Sequence, residues 1–132
     1  MAIMSENETI QHKFKKDSYV RARGGHSEFF DVYCSLCQAH IVLYQKDGQG
    51  SLIRMYLDRI FEPESLSKLQ TSSSKHSLQG LKCPNCNTLI GVPMVYKPEN
   101  RLAFHLIRGS FSKKRSEGVY PPMGNTGENG TT

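Results

Sequence analysis

Two short cysteine turns constrain this chain more than anything else in it. Cys34-Ser35-Leu36-Cys37 and Cys83-Pro84-Asn85-Cys86 contain all 4 of its cysteines, and residues 38–82 separate them. A C-x-x-C spacing sets two sulfurs on one tight turn. Two such turns supply the four thiolates of a tetrahedral Zn²⁺ site. A fold that meets this demand must bring two distant stretches of backbone to one point. The expected ligands are therefore Cys34, Cys37, Cys83 and Cys86, and the expected cofactor is structural Zn²⁺.

Other uses of four cysteines fit less well. Two disulfides would suit a small secreted domain. Here Met1-Ala2-Ile3-Met4 runs straight into Ser5-Glu6-Asn7-Glu8 without an apolar leader, and no stretch approaches the roughly 20 apolar residues of a membrane span. The expectation is a cytoplasmic chain, off the membrane, with reduced thiols. A thioredoxin-like redox pair needs one C-x-x-C and leaves the second unexplained. An iron–sulfur cluster could use four cysteines, but it favours closer spacing.

The length of 132 residues suits one domain. Residues 1–13 are polar and read as a flexible N-terminus. Residues 14–112 read as the folded zinc-binding unit. Residues 113–132 open on Lys113-Lys114-Arg115, continue rich in Gly, Pro and polar residues, and read as a disordered tail. A core this small benefits from a metal that closes a long loop. Within the unit, period-two alternation argues for strands at 16–23, 28–34, 40–44, 51–57, 89–96 and 101–108. Asp47-Gly48 marks a hairpin turn. Pro63 to Leu69 reads as a short helix and 70–80 as an exposed loop. Pro93 predicts a free edge or a bulge in its strand. The order knuckle, strand, turn, strand occurs twice, which is what a metal joining two sheets requires.

The residues around both knuckles carry a resemblance. Tyr33-Cys34-Ser35-Leu36-Cys37-Gln38-Ala39-His40-Ile41 resembles the first zinc knuckle of Yippee proteins, C-x-x-C-x-A-H-aliphatic. Cys83 to Gly91 resembles their second, C-x-x-C-x-x-x-aliphatic-Gly. Gly48-Gln49-Gly50, Tyr56-Leu57 and Tyr96-Lys97-Pro98-Glu99 echo the family between and after the knuckles, so the likeness spans roughly Tyr33 to Leu106. It implies a mostly β fold of the β-tent kind: two antiparallel sheets meeting at an angle, pinned by four-cysteine zinc, with flexible termini. A zinc ribbon is the structural alternative. The cereblon drug-binding domain and the B-type methionine sulfoxide reductases share the tent architecture. This chain has no Trp with which to build a cereblon-type indole cage. It has no fifth cysteine to serve as a reductase nucleophile. The position of His40 in the Yippee pattern implies a supporting role beside the metal rather than ligation.

Catalytic signatures are missing. No nucleophile elbow or phosphate-cradling Gly loop occurs, and the acids are scattered singly. Zinc held by four thiolates has no open position for water. His26, His76 and His105 fall in separate predicted segments and define no second metal site. The expected function is a non-catalytic binding module that takes a protein or a small ligand in its cleft. The alternative is nucleic-acid binding. The net charge is +5, from 17 Lys and Arg against 12 Asp and Glu. Tyr19-Val20-Arg21-Ala22-Arg23, read as a strand, would show Tyr19, Arg21 and Arg23 on one face, with Arg101 as a further polyanion contact and Phe29, Phe30, Tyr33, Tyr44, Tyr56, Tyr96 and Phe104 as stacking candidates. A third reading, an enzyme of reductase-like architecture, has only that architecture behind it.

Overall fold

Alternating apolar residues build a mostly β protein. A computed structural model describes residues 9–71 and 78–122; His76 and part of the 70–80 loop lie outside them. In chain order the strands are β1 (Ile10–Gln11), β2 (Ser27–Cys34), β3 (His40–Asp47), β4 (Arg54–Tyr56), β5 (Ile60–Glu62), β6 (Leu81–Lys82), β7 (Leu89–Tyr96), β8 (Arg101–Leu106), β9 (Phe111–Ser116) and β10 (Val119–Tyr120). Two short helices, α1 (Ser18–Ala22) and α2 (Glu64–Ser67), complete the set with single 3-10 turns. All pairings are antiparallel. One four-stranded sheet runs β5-β3-β2-β9, a second runs β4-β8-β7-β6, and β1 pairs with β10 as a small ribbon.

The two larger sheets share one core. Val32, Val42 and Tyr44 from the first meet Met55, Ile90, Phe104 and Leu106 from the second in a single buried cluster. β3 is buried without interruption from Ile41 to Gln45, because both its faces are covered, and this explains its near-continuous apolar run. On the far face Phe29 stacks on Phe14 at 4.4 Å and meets Phe61 edge-on at 5.3 Å. β6 pairs with β7 only at Leu81↔Gly91 and Lys82↔Leu89. Beyond Gly91 no strand among the described residues pairs with that side of β7, which places Pro93 on the free edge its chemistry requires.

Four expectations need correction. Asp47-Gly48 does not close a hairpin: β3 pairs with β2 and β5, whereas β4, the expected return strand, pairs with β8 in the other sheet. Residues 18–22 are helical, not a strand. Asp17 caps α1 by accepting hydrogen bonds from the Tyr19 and Val20 amides, and burial of Val20 fixes the turn against the sheet. The folded unit also extends past residue 112: Phe111 to Ser116 pairs with β2 along its length. Backbone bonding to β2 holds this basic strand although it has almost no apolar content. The unit begins before residue 14 as well, since Ile10 and Gln11 pair with Tyr120 and Val119.

Candidate metal centre

Each knuckle is built by the same local device. The Cys34 amide donates to Ala39 O at 2.9 Å, and the Gln38 amide donates back to Cys34 O at 2.9 Å. In the second knuckle the Cys83 amide donates to Thr88 O at 2.8 Å, and the Asn87 amide donates to Cys83 O at 2.9 Å. The residue after the last cysteine is left-handed in both, Gln38 at φ 68° and Asn87 at φ 66°. Asn is among the few non-glycine residues that take that conformation readily. The first knuckle closes the end of β2, and the second follows β6 and leads into β7. Each sheet therefore contributes one knuckle.

The four sulfurs converge. All lie within 4.8 Å of one another; Cys34 Sγ is 3.6 Å from Cys86 Sγ, and Cys37 Sγ is 3.5 Å from Cys83 Sγ. Disulfide sulfurs sit about 2.05 Å apart. Sulfurs about 2.3 Å from a tetrahedral metal stand about 3.8 Å from one another. The spacing therefore fits four thiolates sharing one ion and not two disulfides. Hydrogen bonds to sulfur favour the charged form as well. The Asn85 side chain, the Ala39 amide and the neighbouring thiols pull the Cys37 thiol down to about 6. The Cys37 and Leu36 amides lower Cys34, while burial pushes Cys83 up. A divalent cation offsets the mutual repulsion of such a group. Cys34 and Cys83 are buried, and Cys86 is exposed beside the Thr88 hydroxyl at 3.0 Å.

His40 does not join the sulfurs. Its Nε2 lies 2.8 Å from the buried carboxylate of Asp31, and its ring meets Tyr33 edge-on at 5.3 Å. It braces the start of β3 just past the first knuckle.

At the opposite end of the sheets lies a cluster of charges that the sequence did not announce. Arg59 is 1% exposed and donates to Asp47 at 2.8 Å and to Asp17 at 2.7 Å. Arg101 is 4% exposed. Its guanidinium lies between the Tyr19 ring at 3.7 Å and the Tyr56 ring at 3.9 Å. It also donates to Asp58 at 2.6 and 3.2 Å and to Glu99 at 2.9 Å. Arg23 forks onto the same Glu99 with two bonds of 2.8 Å.

Of the three arginines expected to contact a polyanion, only Arg21 is exposed. Arg23 and Arg101 neutralise Glu99 inside the protein, so the three form no common surface. Among the aromatic candidates Phe29, Tyr44, Tyr56 and Phe104 are core residues. Phe30, Tyr33 and Tyr96 are half-buried under Lys113, Lys114 and Arg54 respectively. A capping signal, Asp17 ahead of α1, could have revealed how α1 brings Tyr19 to Arg101. The partners of Arg59 are too far apart in sequence for any local signal.

Comparison with protein-family models, with curated protein sequences and with solved structures finds no match to this chain. What is established is therefore a small antiparallel β protein with four cysteines in metal-binding reach. Among the described residues no helix is long and apolar enough to cross a membrane.

Proposed function

We propose that this chain is a non-catalytic binding module whose two sheets are pinned by Zn²⁺ held as four thiolates by Cys34, Cys37, Cys83 and Cys86. The observation that carries the reading is the convergence of two matched knuckles, one from each sheet, onto a site with sulfurs 3.5–3.6 Å apart across it. The donor set favours zinc: four soft thiolates within 4.8 Å of one another, on turns of C-x-x-C spacing. Four protein ligands close the coordination sphere, so the ion supplies folding free energy rather than Lewis acidity. The Yippee-like knuckle sequences and the two-sheet architecture support a β-tent, and reduced thiols suit a cytoplasmic setting.

Metal analysis of the purified chain should give one zinc per molecule. Strong chelation should lower the unfolding midpoint, and Cys83→Ser should leave the chain unfolded or aggregating by circular dichroism. A stable, metal-free wild-type protein would overturn the proposal. The nucleic-acid alternative loses its main contacts, because Arg23 and Arg101 already hold Glu99 and Asp58. Labelled single- and double-stranded DNA should show no saturable binding even at low salt, where phosphate contacts are strongest.

A further inference from the structure

We propose that the cleft between the end of β3 and β4 binds a small phosphomonoester, with Lys46 and Arg54 as its contacts. The cleft measures about 300 Å³ and is lined by Arg23, Lys46, Asp47, Leu52, Arg54 and Tyr56 among others. That volume is at the lower end of small-ligand sites. The inference extends the binding-module reading by naming a ligand class, and it stands at the far end of the sheets from the cysteines.

The charges around this cleft do not balance. Every carboxylate nearby is engaged elsewhere. Glu28, the cross-strand partner of Lys46, accepts from Arg115 at 2.6 Å and bonds His26 at 3.0 Å. Asp47 accepts from Arg59, Gln45 and Ser27 at 2.7–2.8 Å. Glu99 accepts from Arg23 and Arg101. Two cations remain: neither Lys46 nor Arg54 forms an ion pair among the described residues.

Both are nonetheless held in place. The Lys46 ammonium donates to Gly48 O at 2.9 Å and has two protons left. Burial and the nearby Lys113 ammonium lower its proton affinity, against the weaker pull of the Glu28 and Asp47 carboxylates. The Arg54 guanidinium lies over the Tyr96 ring at 4.3 Å, and its Nε–H donates to Tyr56 Oη at 3.2 Å. Its two Nη groups have no partner among the described residues. Ring stacking and the Nε bond orient that free fork. Two cations without a salt-bridged carboxylate suit an anion with several acceptor oxygens, and a phosphomonoester offers three, with close to two charges near pH 7. Arg forks and Lys ammoniums are the usual donors to such a group.

Calorimetric titration of the full-length, zinc-loaded protein with glucose 6-phosphate and with glucose tests the inference. Saturable binding of the phosphate ester and none of the parent sugar is expected. Arg54→Gln and Lys46→Gln should each weaken binding about tenfold or more. Arg54→Lys, which keeps the charge and loses the fork, should fall between wild type and Arg54→Gln. Lys82→Gln, on an exposed lysine of β6, should change nothing. Unfolding midpoints of all variants establish that they are folded. Equal binding of ester and sugar, no binding by about 10 mM ester, tighter binding of succinate than of the ester, or unchanged affinity in folded Arg54→Gln each overturns the inference. So does equal competition by an oligonucleotide without a terminal phosphate. None of these failures touches the zinc content on which the metal reading rests.

Discussion

Replacing Arg101 by Met tests what holds the sheets together away from the cysteines. Met retains much of the apolar stem and removes the guanidinium. The side chain is 3% exposed and joins four parts of the chain: β8 through its own backbone, α1 through Tyr19, β4 through Tyr56, and the turn before β5 through Asp58. Removing one member of a buried ion pair typically costs about 3–5 kcal/mol, because the partner charge is left without compensation. Two features reduce that figure here. The Asp58 side chain is 34% exposed and regains water, and Glu99 keeps its two bonds from Arg23. Two lost cation–π contacts act the other way, at about 1 kcal/mol each, between the exposed and the fully desolvated case. The expected loss is about 3 kcal/mol, or roughly 12 °C in Tm for a domain of this size.

Urea unfolding followed by far-UV circular dichroism measures it, with the slope m unchanged if the folded state stays compact. Arg101→Lys keeps the charge but loses the fork and the flat stacking surface, and should recover less than half of the loss. A double-mutant cycle of Arg101→Met with Tyr19→Leu should give a coupling of about 1 kcal/mol. If Arg101→Met stays within 1 kcal/mol of wild type, the cluster is a surface ornament and the reasoning fails.

Three further outcomes follow from particular contacts. Gly118 sits at φ +82°, and a Cβ there would come within 2.5 Å of the Phe29 ring, so Gly118→Ala should destabilise by about 2 kcal/mol or more and speed hydrogen exchange in β1 and β10. Tyr44 Oη accepts the Tyr56 amide at 2.9 Å in the core; Tyr44→Phe leaves that donor unpaired and should cost about 1–3 kcal/mol in urea unfolding. Arg23 first, and Arg101 after it, hold the Glu99 carboxyl below its ordinary value of 4.5. The unfolded chain therefore takes up the proton first as pH falls, so the contribution of Glu99 is complete above about pH 4.5 and is lost below it, and Glu99→Gln should flatten that part of the stability–pH curve.

Much of this was legible because local chemistry and tertiary demand agree. Cys34, Cys37, Cys83 and Cys86 announce a shared site by spacing alone, and β3 announces itself by the near-continuous apolar run that two covered faces require. The misses occur where they disagree. Tyr19-Val20-Arg21-Ala22-Arg23 alternates like a strand, yet a single cap at Asp17 and the pull of Arg101 on Tyr19 make it a helix. Ser112-Lys113-Lys114-Arg115 has no apolar face, yet it is a strand, since β2 offers unpaired backbone groups and the lysine heads rest over Phe30 and Tyr33. Arg59 looks like any turn residue. Only the fold brings Asp17 and Asp47 to it, from 42 and 12 positions away.

The two clusters divide the labour along the strands. β7 runs from Leu89, beside the second knuckle, to Tyr96, opposite Arg101; at about 3.3 Å per residue its ends stand some 23 Å apart. β2 likewise runs from Ser27, bonded to Asp47 at 2.7 Å, to Cys34 itself. One end of the sheets thus carries the four cysteines, where the proposed metal would clamp them, and the other the arginine and carboxylate cluster, with the apolar core between. A metal clamp is insensitive to side-chain packing but demands reduced thiols. An ion-pair clamp weakens in acid but needs no cofactor. Because the proposed phosphate cleft opens at the arginine end, bound anion would add a counter-charge where Lys46 and Arg54 have none. Ligand should therefore stabilise that end of the sheets and leave the thiolate end as it was. Hydrogen exchange with glucose 6-phosphate present should protect Lys46, Arg54 and Tyr56 amides while leaving Cys34 and Cys83 unchanged, and equal protection at both ends would refute the division.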